Sequence, residues 1–180
     1  MASVQASIRV NGVVGVTSPY PTVARVMKLN NYKPQSTIVF IAFAAEEIGL
    51  YGSKNFAGNP NEYGGKIRFM LNSDMIAYET SSSSADWTIN IMDYSNSKAL
   101  RHDAEKMCTD HTLLGYFTHT ANTPRSASYP FFTNGYKALF FFCGDSDPNY
   151  HSLNDVSTNC NFPYCAEVVK LQCALLAYKN

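Results

Sequence analysis

Aspartate and histidine are missing from the front of this chain: the first aspartate is Asp74 and the first histidine His102. Any site that draws an imidazole or an aspartate from that front stretch is excluded. An excess of charge is missing too, since 14 Lys and Arg balance 14 Asp and Glu over 180 residues. That balance removes the electrostatic reason to expect nucleic acid or an anionic membrane as a partner. No apolar run approaches the ~20 residues of a membrane helix. The opening Met1-Ala2-Ser3-Val4-Gln5-Ala6-Ser7 lacks the basic-then-apolar layout of a secretory signal. No repeat and no heptad is visible. Five cysteines, an odd number, cannot all pair internally, and none form a closely spaced zinc-finger pair. Cys160 and Cys165 sit close in a loop-like stretch, so one local bridge is open to them; otherwise the thiols read as scattered core residues.

What is present is organised around one stretch. Thr37-Ile38-Val39-Phe40-Ile41-Ala42-Phe43-Ala44 is a continuous apolar, β-branched and aromatic run. Such a run predicts a strand buried on both faces, as in parallel sheets. It ends in Ala45-Glu46-Glu47, followed by two glycines that turn the chain, and Ser53 is placed to cap a short helix. Two adjacent carboxylates at a strand end repel each other and need a cation or proton nearby. A solvated acidic turn is the plain alternative.

Two further strands of the same kind follow. Lys66 to Asn72 runs into Ser73-Asp74, and Lys137 to Phe142 runs through a turn-rich loop to His151. Trp87 to Met92 alternates like a strand. Helices are predicted from Thr22 to about Asn31, from a Ser97 cap to about His111, and from Pro163 to about Lys179. Residues 112–137 read mostly as loop. Strands alternating with helices predict an α/β fold: three layers, α/β/α, around a mainly parallel mixed sheet. Residues 1–21 form an atypical N-terminal segment, with Ile8-Arg9-Val10 strand-like and then broken by glycines and prolines; residues 22–180 form the domain. Ligands of open α/β sheets sit beyond the carboxyl ends of the strands, so Glu47, Asp74 and His151 are expected on one rim. Carboxylate oxygens and an imidazole nitrogen suit zinc. Alone, Asp74 reads equally as a cap or turn former, and His151 as a loop histidine bonded to Asp147 or Asp155. His102, His111 and His119 are left outside the site.

The run Phe43-Ala44-Ala45-Glu46-Glu47-Ile48-Gly49-Leu50-Tyr51-Gly52-Ser53 resembles the signature of the M28 family of co-catalytic zinc aminopeptidases. Asn72-Ser73-Asp74-Met75-Ile76 and Tyr150-His151-Ser152-Leu153-Asn154-Asp155 resemble that family's other ligand motifs, in the family's order. The resemblance implies a zinc-peptidase-like fold and hydrolysis of N-terminal residues from peptides. It makes Glu46 the general base, taking a proton from the attacking water. Glu47 and His151 become ligands of one zinc and Asp74 a ligand of the other, with Asp155 as an outer partner of the histidine or its loop. It also implies the secreted or periplasmic setting common in the family.

The family pattern is incomplete here. The family supplies two more ligands, a histidine and a metal-bridging aspartate, ahead of the Thr22–Asn31 helix, where this chain has neither residue type and offers only Asn11-Gly12 or its neighbours. Its usual Ser-Asp-His ahead of Pro-Phe reads Ser126-Ala127-Ser128 before Tyr129-Pro130-Phe131. We therefore expect missing N-terminal elements, at most one well-held zinc where the family holds two, and weak or absent hydrolysis. Two alternatives remain: a non-catalytic binding module on the same fold, and an acyltransferase resembling the one-metal glutaminyl cyclases. Survival of all four site residues together favours the peptidase.

Overall fold

The structure is a computed structural model, and it describes residues 5–6, 19–63, 66–121 and 124–180. The Ile8–Val10 and Asn11-Gly12 readings lie outside these residues. Six strands are described: β1 (Gln5–Ala6), β2 (Val39–Phe40), β3 (Phe69–Ser73), β4 (Thr88–Asp93), β5 (Gly115–Thr120) and β6 (Lys137–Cys143). With them run the helices α1 (Pro19–Leu29), α2 (Tyr51–Gly58), α3 (Lys98–His111), α4 (Tyr129–Thr133) and α5 (Phe162–Lys179). Four strands form one mixed sheet in the order β3-β6-β4-β5. The β3–β6 and β4–β5 pairs are parallel, while β4 and β6 run antiparallel. The expected mainly parallel α/β/α architecture is what is found.

Period-two alternation on the central strands sorts the layers. Ile89, Ile91, Leu139, Phe141 and Cys143 face α3 and α5, meeting Leu100, Met107, Tyr164, Val168, Leu171 and Leu175. The opposite face, with Met70, Met92 and Ala138, is covered by Ala57 of α2 and Phe131 of α4. Each fully buried Val, Leu or Phe side chain here contributes about 1.5–3 kcal/mol. α1 lies outside this sandwich against α5, burying Val23 and Met27 with Ile38, Phe40 and Leu176.

Four local expectations are corrected. Among the described residues the Thr37–Ala44 run forms a ladder only at Val39–Phe40, against Gln5–Ala6, and with Val39 exposed between buried Ile38 and Phe40 it is covered on one face and not on both. α1 begins at Pro19 rather than Thr22, because proline's fixed φ suits the first helical turn. Ser53 does not cap α2. The cap position is Leu50, in left-handed conformation, and Ser53 lies buried inside the helix with Oγ donating to Leu50 O at 3.1 Å. Residues 112–137 are more than loop: they contain β5 and α4. β5 is exposed along its whole length, so no buried face marked it in the sequence.

Candidate metal centre

The Glu46-Glu47 turn is built from backbone bonds. Gly49 and Leu50 donate to Glu46 O at 3.1 and 2.9 Å, Tyr51 to Ala45 O at 3.2 Å and Gly52 to Ala44 O at 3.1 Å. Gly52 is held so close to the end of the apolar run that a Cβ there would stand 2.6 Å from Ala44 O and 2.9 Å from Ala44 N. Glycine is required by that approach. The turn therefore hands both carboxylates to one end of the sheet as a fixed unit.

Asp74 reaches the same end by another route. Its N–H donates to Phe141 O at 3.1 Å, and Cys143 N–H to Met75 O at 2.9 Å, so the β3–β6 pairing runs on past Ser73. This is neither the helix cap nor the simple turn that Asp74 alone allowed. Ser126 Oγ donates to Asp74 Oδ2 at 2.8 Å, and the buried Asn72 amide donates to Ser126 Oγ at 2.6 Å. Burial pushes the Asp74 carboxyl above the usual range; the Ser126 bond opposes this, Glu47 adds to it and His151 opposes it. Asn72 and Ser126 stand within motifs noted in the sequence, but their bonding role had no signal there, since it rests on a contact between distant segments.

His151 sits on the loop after β6. Its Nε2 lies 3.0 Å from Glu47 Oε1, so its partner is Glu47 rather than the sequence-near Asp147 or Asp155. Asp147 Oδ1 instead accepts from the Asn149 N–H at 2.7 Å. The Tyr150 ring stacks on the imidazole with centroids 3.9 Å apart. Burial first, and then the charges of Glu47, Asp74 and Glu46, push the Tyr150 hydroxyl up. Glu46 feels the same company: burial raises its carboxyl, Asp74 and Glu47 raise it further, and His151 pulls it back.

Backbone strain gathers here as well. Five described non-glycine residues have positive φ, and four of them belong to these segments: Ala45 (58°), Leu50 (59°), Met75 (54°) and His151 (57°). Such conformations cost about 1–3 kcal/mol each and persist where the surroundings over-determine them. Of the departures noted in the sequence, Ser128 is fully buried and bonded to the Tyr94 hydroxyl at 2.9 Å, and Ala127 is buried. Neither offers a donor to the rim.

The donor set fits part of a zinc site. Two ligand atoms on one tetrahedral zinc, with bonds of about 2.0–2.2 Å, stand roughly 3.3 Å apart, close to the Glu47–His151 separation. Both side chains are more than half exposed, so a cation can reach them. Among the described residues, however, no group of three or more His, Cys, Asp or Glu side chains is gathered tightly enough to hold a metal ion. Glu47 and His151 are brought into contact; Asp74 and Glu46 are coupled to them by charge.

Known proteins agree with this reading of the fold. A curated relative described as a probable zinc metalloprotease, from Pyrenophora tritici-repentis, is 48% identical over 46 residues, 26% of this chain and 11% of its own length. Among solved structures, the LapA aminopeptidase of Legionella pneumophila superposes with a TM-score of 0.76 at 18% identity, covering 88% of this chain and 43% of its own. BSAP, a zinc aminopeptidase from Bacillus subtilis, gives 0.64 at 22% identity, covering 90% and 40%. At such identities the structures speak for the fold, and this chain spans less than half the length of each of these relatives. The family model for peptidase family M28 matches residues 16–176. The chain belongs to peptidase family M28.

Proposed function

We propose that this chain carries the Glu46, Glu47, Asp74 and His151 portion of a zinc aminopeptidase, and that its own residues hold at most one zinc. The observation that carries the reading is the 3.0 Å approach of Glu47 Oε1 to His151 Nε2. Two segments far apart in sequence deliver a carboxylate and an imidazole at the spacing of two ligands on one ion. Glu47 and His151 would hold that zinc, and Asp74 would serve a second ion whose remaining ligands these residues do not supply. When bound, zinc supplies a Lewis acid that lowers the pKa of water to about 7 and offsets charge building on a carbonyl oxygen.

The chain's own residues supply the rest. Glu46 takes the proton of the attacking water and delivers it to the departing amine. A carboxyl raised by burial and by two carboxylate neighbours suits that two-way role. Ser126 holds Asp74 Oδ2 in one orientation. The missing aspartate and histidine ahead of Asp74 leave the set short, so hydrolysis by these 180 residues is weak or absent. The substrate class is a peptide with a free N-terminus.

The test measures zinc stoichiometry and release of amino acid from an aminoacyl-anilide, with and without chelator, on the purified chain and its Glu47→Ala and His151→Ala variants. About one zinc or less in the parent, lost in both variants, is expected, with slow or no turnover. Zinc retained by both variants sinks the assignment. Release of ammonia from an N-terminal glutamine substrate points to the cyclase chemistry instead.

A further inference from the structure

α5 opens with a side-chain cap. Asn161 is the N-cap residue, and its Oδ1 accepts the Tyr164 N–H at 3.1 Å, while the Cys165 N–H closes the first turn onto Asn161 O at 3.0 Å. In a helix capped this way, the residue before the cap and the fourth residue of the helix lie side by side, where many helices place a hydrophobic staple. Here those two positions are Cys160 and Cys165. Both are free, partly exposed thiols, and they stand near enough that the charge of one raises the other. Their surroundings are fixed on both sides. Asn161 N–H donates to Ala77 O at 2.8 Å, Cys165 Sγ lies 3.6 Å from Ile76 O, and Cys160 N–H closes the short turn Ser157–Asn159 at 3.2 Å.

We infer that Cys160 and Cys165 form a reversible disulfide that replaces the hydrophobic staple at the start of α5. The oxidant is a small disulfide such as oxidised glutathione. The thiolate of Cys160, the less buried partner, attacks one sulfur of that disulfide, forming a mixed disulfide and releasing one small thiol. The thiolate of Cys165 then attacks Cys160 Sγ, closing the protein disulfide and releasing the second small thiol. Two protein thiols lose two electrons and two protons; the oxidant's sulfur–sulfur bond is reduced by the same two electrons and takes up both protons. The cap brings these two positions together in the folded chain alone, so the bridge belongs to the native state. Burial pushes both thiols up, the Cys165 thiol to about 11. The bridge joins the end of the loop that carries His151 to the first turn of α5, beside the contacts of Asn161 and Cys165 with Ala77 O and Ile76 O.

The experiment equilibrates the full chain in graded mixtures of reduced and oxidised glutathione, quenches with an alkylating agent and maps disulfides by peptide mass spectrometry. A single internal Cys160–Cys165 linkage is expected, at glutathione ratios at least tenfold more reducing than those needed by the same chain in concentrated urea. Cys160→Ser and Cys165→Ser variants, checked for folding by circular dichroism, are expected to lose the linkage. The parent titration needs no variant, so a misfolded variant leaves the test intact. Both thiols alkylated in the oxidising buffers, a stable mixed disulfide at Cys160, or equal ease of bridging in urea each overturns the inference.

Discussion

Glu47 Oε1 and His151 Nε2 lie 3.0 Å apart although the two residues are separated by 104 positions in the chain. The contact exists because two independent devices end at the same place. One is the hydrogen-bonded turn locked by Gly52 against Ala44; the other is the loop that leaves β6 and turns at a left-handed His151. Disturbing either device should separate the pair without touching it, and that gives the first prediction.

Gly52→Ala inserts a methyl group where 2.6 Å separates its position from Ala44 O. The turn must open, and we expect a loss of about 1–3 kcal/mol, the usual range for overpacking. Gly58, the last residue of α2, has open space instead: a Cβ there would meet no atom within 4 Å. Gly58→Ala should therefore stabilise by about 0.4–1 kcal/mol, through the unfolded chain's lost freedom. Urea midpoints of the two variants should move in opposite directions; movement in the same direction contradicts the close-approach argument.

Ser126→Ala removes the hydroxyl that receives the Asn72 amide and donates to Asp74. Both partners are then left short of a bond at sites with little water, at a cost of about 1–3 kcal/mol. The carboxyl of Asp74 should move further upward, because the Ser126 bond is the largest influence holding it down. Carboxyl NMR titration reads that shift directly. An unmoved Asp74 titration in the variant shows that the hydroxyl does not govern it.

Much of this site was readable in the letters, and the reason is local. Glu46-Glu47, Asp74 and His151 each follow an apolar run, and strand ends are where such folds collect ligands. What stayed hidden depends on pairing between distant segments. β5 has no buried face, so its existence comes from its neighbour β4 and not from its own pattern. Ser53 has the residue type of a cap, yet the turn before it already satisfies the helix start and draws the serine inside. The five-residue α4 is too short for any period to show. Ser126 is one serine in a polar run until Asn72 and Asp74 are seen on either side of it.

Asp145 gives a pH-dependent prediction away from the rim. The Thr80 hydroxyl and backbone N–H donate to its Oδ2 at 2.6 and 3.1 Å, holding the carboxyl below its usual range. A lowered folded pKa means the stabilising contribution is complete above the unfolded value of about 3.9 and disappears as pH falls through the folded value. Thr80→Val deletes the stronger of the two bonds. Its stability deficit against the parent should therefore shrink between about pH 6 and about pH 3 in urea unfolding. A deficit that does not change with pH assigns Thr80 a packing role alone.

The exposed strand β5 poses the question of what keeps it in the sheet, and Asp93 is the answer. This carboxylate is 2% exposed. It accepts Arg101 Nε from α3 at 2.9 Å and Thr120 Oγ1 from β5 at 2.7 Å, while its backbone carbonyl takes the Ala121 N–H at 2.7 Å. Helix, central strand and edge strand thus meet on one buried charge. Arg101→Met strands that charge, and removing one partner of such a pair costs about 3–5 kcal/mol. The double variant Arg101→Met with Asp93→Asn should lose less than the sum of the single losses, since the second change removes the stranded charge. Hydrogen exchange of the β5 amides should quicken in Arg101→Met before that of β3 or β6, because β5 ends the described sheet and is tied to it by its ladder to β4 and by this cluster. If β3 and β6 open together with β5, the charge cluster supports the whole sheet and not its edge.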